Sequence, residues 1–124
     1  SVIYAADYGA NLFGDIIATT EETINTWPKI VHSLVQATQL GWIKALEDTD
    51  ASSKLTMKYQ QNLDPVHLKY VLNVSLPLIQ TTPGSKIGDS TYIEWRKIYE
   101  ILKDQNLIQK EFDVNKAFTR QFIN

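Results

Sequence analysis

A chain of 124 residues, 44% of them hydrophobic, is long enough to bury one core and too short for two. Twelve Lys plus Arg against fourteen Asp plus Glu leave a formal charge of -2, and no basic run tracks a phosphate backbone, which argues against nucleic acid as a partner. Cysteine is absent, which removes disulfide frameworks, thiolate zinc sites and thiol nucleophiles together and is compatible with an oxidising compartment.

The chain opens on Ser1, Val2, Ile3, Tyr4 and Ala5 with no initiator Met and no basic-then-apolar leader, as if cut from inside a larger protein. No stretch approaches the roughly 18 continuous apolar residues of a membrane span. The β-branched content of residues 2–5 and 16–19 predicts two short strands. Between them lies a glycine-punctuated loop, residues 7–15, carrying Tyr8, Gly9, Asn11, Phe13, Gly14 and Asp15. Thr19 and Glu22 have capping-box spacing for a short helix ending at Trp27, and Pro28 then suits the first turn of the next. That helix, predicted over 28–47, places Ile30, Leu34, Ala37, Gly41 and Ala45 at helical spacing, with Val31, Val35 and Trp42 widening the stripe. Asp50 is the expected cap of a helix carrying Ala51, Leu55 and Tyr59. Asp64 and Pro65 start another, with Leu68, Val71, Leu72, Leu76 and Ile79 inward and Pro77 kinking or ending it.

Residues 80–90 are a loop by composition, with Ser90 or Asp89 placed to cap the next helix. In that helix Trp95, Ile98, Tyr99 and Leu102 recur at i, i+3, i+4 and i+7. Asn106 suits the left-handed position that closes it, and Asp113 is placed to cap a last one with Ala117, Phe118 and Phe122 inward.

The run from Asp7 through Asp15 to Glu21, then Trp27-Pro28 and Val31, then Ala37-Thr38, Gly41-Trp42 and Ala45-Leu46, resembles the later half of type II periplasmic solute-binding proteins. The branch it resembles is the thiamine-pyrimidine-precursor and nitrate, sulfonate or taurine group. The ending, with Trp95, Leu107, Ile108, Asp113 and Lys116 to Thr119, is similar to that group's ending. The resemblance implies an α/β type II periplasmic-binding-protein fold, of which this chain is mostly α with about two short strands. Residues 1–20 would form strands and a cleft-lining crossover loop, and 21–124 the helical layer of one lobe. The partner half of the protein, with the sheet strands and opposing ligand contacts, lies outside the chain.

Within the loop, Tyr8 or Phe13 offers a stacking face, Asn11 an amide and Asp15 a carboxylate, while Gly9 and Gly14 permit close backbone approach. An ordinary connection whose aromatics pack and whose Asp caps a turn is the competing reading. His32 and His67 sit on separate predicted helices with no second ligand placed to make a metal site. Trp42 and Trp95 lie on apolar stripes and belong to a core. Glu47, Asp48 and Asp50 resemble a solvated turn, and the run Pro83, Gly84, Ser85, Lys86 lacks the context of a phosphate-binding loop. No catalytic grouping, metal or cofactor is expected.

The resemblance implies a small-molecule ligand, a pyrimidine, sulfonate or similar, held between two lobes in a periplasmic or extracytoplasmic protein. Its closed form would be recognised by the membrane permease of an ABC-type importer. An alternative use of the same fold is the ligand-sensing domain of a membrane signalling protein. A third, thiamine-pyrimidine synthesis, employs a cysteine-rich motif in the relatives that perform it. On its own, the chain is expected to self-associate through its unpaired strands.

Overall fold

A computed structural model describes residues 3–9, 12–60, 62–79 and 85–123. Five α-helices carry the architecture: α1 Glu21–Thr26, α2 Pro28–Glu47, α3 Thr49–Tyr59, α4 Pro65–Ile79 and α5 Tyr92–Asp104, with single 3-10 turns at Ala5–Tyr8 and Val114–Lys116. The mostly helical expectation holds, but there is no strand among the described residues. Where the sequence predicts a strand over 2–5, a 3-10 turn begins at Ala5, and the Asp7 amide donates to the Tyr4 carbonyl at 3.1 Å. Residues 16–19 are irregular, with Ile16 and Ile17 exposed. A β-branched run becomes a strand only where a neighbour completes its ladder, and nothing described in the chain pairs with these segments.

The helix boundaries follow local capping chemistry, displaced by one or two residues from the expected caps. Thr20, not Thr19, caps α1, its hydroxyl accepting from the Thr23 amide at 3.1 Å. Pro28 opens α2 at the predicted position, and the helix ends at Glu47 as expected. Asp48, not Asp50, caps α3 by accepting from the Ala51 amide at 2.9 Å. Asp64 accepts from the Val66 amide at 2.9 Å where Pro65 starts α4. At α5 the cap is Thr91 in a reciprocal box with Glu94, which leaves Ser90 to bond Trp95 and Asp89 to bond Arg120. Asn106 takes the left-handed conformation, φ 57°, just past α5. Asp113 does cap the last element, but that element is one 3-10 turn, and its residue Ala117 is exposed while Phe118 is half-buried and Phe122 buried.

Because the Thr91–Glu94 box satisfies α5's leading amides from both directions, Thr91→Ala should lower stability by about 1 kcal/mol. Urea unfolding would show this as a lower midpoint at unchanged slope; an unaltered midpoint would mean that α5 is held by its packing alone.

α3 and α4 form the principal helix pair, and α1 and α3 flank α2. Ser53, buried on α3, turns its hydroxyl onto the Thr49 carbonyl at 2.7 Å, so a polar side chain sits in the interior without an unpaired donor. Lys69 of α4 reaches Asp50 of α3 at 2.7 Å and holds that carboxyl below its ordinary range, first by the hydrogen bond and then by its charge. The second packed region joins α5 to the 3-10 turn and the segment after it. Its interior is Tyr99, Val114 and Phe122, and it is joined to α2 by the Gln39 amide donating to the Ile87 carbonyl at 2.8 Å.

α2 buries a different face from the one its central spacing suggested. Val31 is 7% exposed and Val35 and Trp42 are half-buried, whereas Ile30 and Leu34 are 61% and 55% exposed and Ala37 and Gly41 lie on the same open side. The helix is apolar on two sides, the pattern of an element covered on both; α1 and α3 cover one.

Candidate functional site

The loop singled out from the sequence is anchored at one of its residues and open at the others. Tyr8 ends the first 3-10 turn with its ring 78% exposed. Gly9 follows at φ +81°, a conformation that any side chain would strain. Gly14 needs no such freedom: a methyl built on it meets no atom within 4 Å. Asp15 is exposed. Asn11 lies outside the described residues.

Phe13 is drawn inward. Its ring meets Trp95 of α5 edge-on at 5.2 Å, and Trp95 in turn stacks on Phe118 at 5.4 Å with the rings 10° apart. Each such pair contributes roughly 0.5–1.5 kcal/mol beyond the area it buries. The indole N–H donates to the Ser90 hydroxyl at 2.9 Å. Ser90's own amide donates to Asp89, whose carboxylate receives Arg120 through two hydrogen bonds of 2.8 and 2.7 Å. The candidate site therefore splits in two: Tyr8 and Asp15 present an aromatic face and an acceptor outward, while Phe13 packs, as the competing reading of the loop required.

Sequence reasoning missed the partners of this packing. The period of α5 marked Trp95 as an inward residue, but nothing in local spacing joins it to Phe13, Ser90 or Phe118. Nor did the acids after α2 prove to be an undifferentiated solvated turn: Glu47 pairs with Lys44 at 2.6 Å, Asp48 is a cap and Asp50 holds Lys69.

A groove of about 500 Å³ runs between α2 and residues 85–87, with Leu40, Ile43, Leu46 and Ile87 against Gln36 and Gln39. A second hollow of about 440 Å³ lies beside Asp89 and Arg120. None of residues 8–15 lines either. His32 is half-buried and His67 exposed, and no group of three or more His, Asp or Glu is gathered for a metal among the described residues. The carboxyls of Glu111 and Asp113 are held below their ordinary range, the first by Lys103's hydrogen bond and charge, the second by hydrogen bonds from the backbone and side chain of Asn115. These are surface pairs at the far end of the chain, and nothing in them gathers general acids and bases into one cleft.

Residues 1–52, which include the whole loop, match the NMT1/THI5-like family. The chain is also similar to the riboflavin-binding protein RibY of Chloroflexus aurantiacus, 29% identical over 128 aligned positions that take in 99% of this chain and 36% of that protein. These matches uphold the resemblance to type II periplasmic solute-binding proteins of this branch. The chain spans about a third of the length of the relative it matches. No solved structure matches it significantly. No helix among the described residues is long and apolar enough to cross a membrane.

Proposed function

We propose that the chain is part of a solute-binding protein that holds a small heteroaromatic ligand between two lobes and hands it to an ABC-type importer outside the cytoplasm. The observation that carries this is the family match over residues 1–52, which takes in the one loop with an outward aromatic face and carboxylate, together with a relative aligned along the chain's length. In this reading residues 1–20 line the cleft, and 21–124 form the helical layer of one lobe. Tyr8 stacks on the ligand's ring, Asp15 accepts from a ring N–H or a hydroxyl, Asn11 adds an amide, and the turn at Gly9 lets backbone approach the ligand. Phe13 supports this wall from behind instead of facing the ligand.

The relative is named for riboflavin, and riboflavin presents the features this wall would meet: a flat ring system, an imide N–H and a polyhydroxyl tail. We read the protein as a binder and not a catalyst. The family also includes a synthase, but the cysteine-rich motif associated with that activity has no counterpart in these 124 residues.

The test is titration of the full-length protein with riboflavin, followed by quenching of flavin fluorescence. Saturable binding is expected, weakened about tenfold by Tyr8→Ala and about threefold or more by Asp15→Asn, as expected for one stacking face and one charge-assisted hydrogen bond. Absence of a thermal shift with riboflavin, thiamine-type pyrimidines and sulfonates alike would remove the reading, and product formation from any of them would replace binding with catalysis.

A further inference from the structure

We propose that Trp95 is a positioning residue for the cleft-lining loop, fixing its attitude from α5 and the C-terminal turn. The inference rests on the reading of residues 8–15 as one wall of the ligand cleft. Its foundation is the manner in which the loop is attached. Among the described residues, 12–19 form no hydrogen bond to any other residue through their own side chains or amides, and the ring of Phe13 against Trp95 is the directional contact they make.

Trp95 is suited to this because its orientation is set by contacts of different kinds. Phe118 stacks on the indole, and the indole N–H is spent on Ser90, which Asp89 and Arg120 secure in turn. Rotating the ring toward or away from Phe13 would break a hydrogen bond as well as a stack. The loop thus meets a preset surface, and the residues flanking Phe13, Gly14 and Asp15 on one side and the chain leading back to Tyr8 on the other, inherit its position. Ligand affinity then depends on a residue that does not touch the ligand, through pre-organisation of the wall.

The experiment uses the full-length protein and the variants Trp95→Leu, which removes the ring, and Trp95→Phe, which keeps a ring but loses the bond to Ser90. Limited chymotrypsin digestion reports the loop through cleavage after Tyr8, Leu12 and Phe13, with cleavage after the exposed Tyr59 at the end of α3 as internal reference. Trp95→Leu is expected to speed loop cleavage about fivefold relative to Tyr59 and Trp95→Phe by less than about twofold. Riboflavin affinity is expected to fall about fivefold in Trp95→Leu and to be largely kept in Trp95→Phe. Equal acceleration at both sites would show general destabilisation and overturn the assignment, as would a loosened loop with unchanged affinity. If the wild-type protein does not bind riboflavin, the ligand reading fails by that result, and the ratio of cleavage rates still decides whether Trp95 holds the loop.

Discussion

Tyr99→Ala should destabilise the chain by about 3 kcal/mol, at the lower edge of the range for truncating a buried aromatic. Tyr99 is 6% exposed and stands where α5 meets the C-terminal segment. Its ring meets Phe112 edge-on at 5.2 Å, with the Arg96 guanidinium 5.3 Å and the Lys103 ammonium 5.9 Å from its centre. Truncation removes all of these together and opens a cavity that Val114 and Phe122, fixed by a short 3-10 turn, are poorly placed to fill. The cation contacts are exposed and contribute at most about 1 kcal/mol each, so loss of packing dominates. Tyr99→Phe keeps the ring and should cost less than about 1 kcal/mol. Urea unfolding followed by circular dichroism separates the two; a loss below about 1 kcal/mol for the alanine variant would mean that the α5 region is not a cooperative part of the core. In domains whose total stability is on the order of 5–15 kcal/mol, the expected loss is large.

The second large effect concerns the open face of α2. The chain exposes 10067 Å², whereas a compact monomer of 14.1 kDa exposes about 6,700 Å². The excess, roughly 3,300 Å², is greater than the 1,200–2,000 Å² that a stable interface buries in all. Part of it is the stripe of Trp27, Ile30 and Leu34, all exposed on a helix whose opposite side is already packed. Residues 1–124 alone should therefore associate through this helical face. That corrects the expectation of pairing through strand edges, which the described residues do not form. Ile30→Glu with Leu34→Glu should convert the associating species to monomer, read by sedimentation velocity at tens of micromolar, an affinity range worth about 6–7 kcal/mol. In the full-length protein the same pair should be strongly destabilising if the rest of the lobe covers the stripe, because two carboxylates would then be buried without partners. Association that survives the double substitution would place the sticky surface elsewhere.

Both expectations turn on how far a helix's apolar pattern decides its burial. The stretch from Trp95 to Leu102 announced an amphipathic helix with Tyr99 inward, and it is so because a single apolar stripe has one way to be buried. α2 was legible as a helix, down to Pro28 and Glu47, but its burial was not, because Ile30, Leu34 and Val31, Val35 define two apolar faces between which period alone does not choose. The candidate loop was legible as a glycine-punctuated segment rich in usable side chains. That Tyr8 is open and Phe13 packed depended on Trp95, far along the chain.

Sequence by itself determined the helical elements and most of their ends, since caps such as Asp64, Thr91 and Asp113, the proline starts and the left-handed Asn106 all act within a turn or two of chain. Tertiary structure alone decided that the β-branched runs at the N-terminus do not become strands. It also decided that α2 keeps one apolar face open, and that the loop of Tyr8 and Asp15 is pinned through Phe13 to Trp95. The physical reason is common to the three: a ladder, a buried face and a ring contact each need a second group, and their formation depends on which group the fold brings within reach.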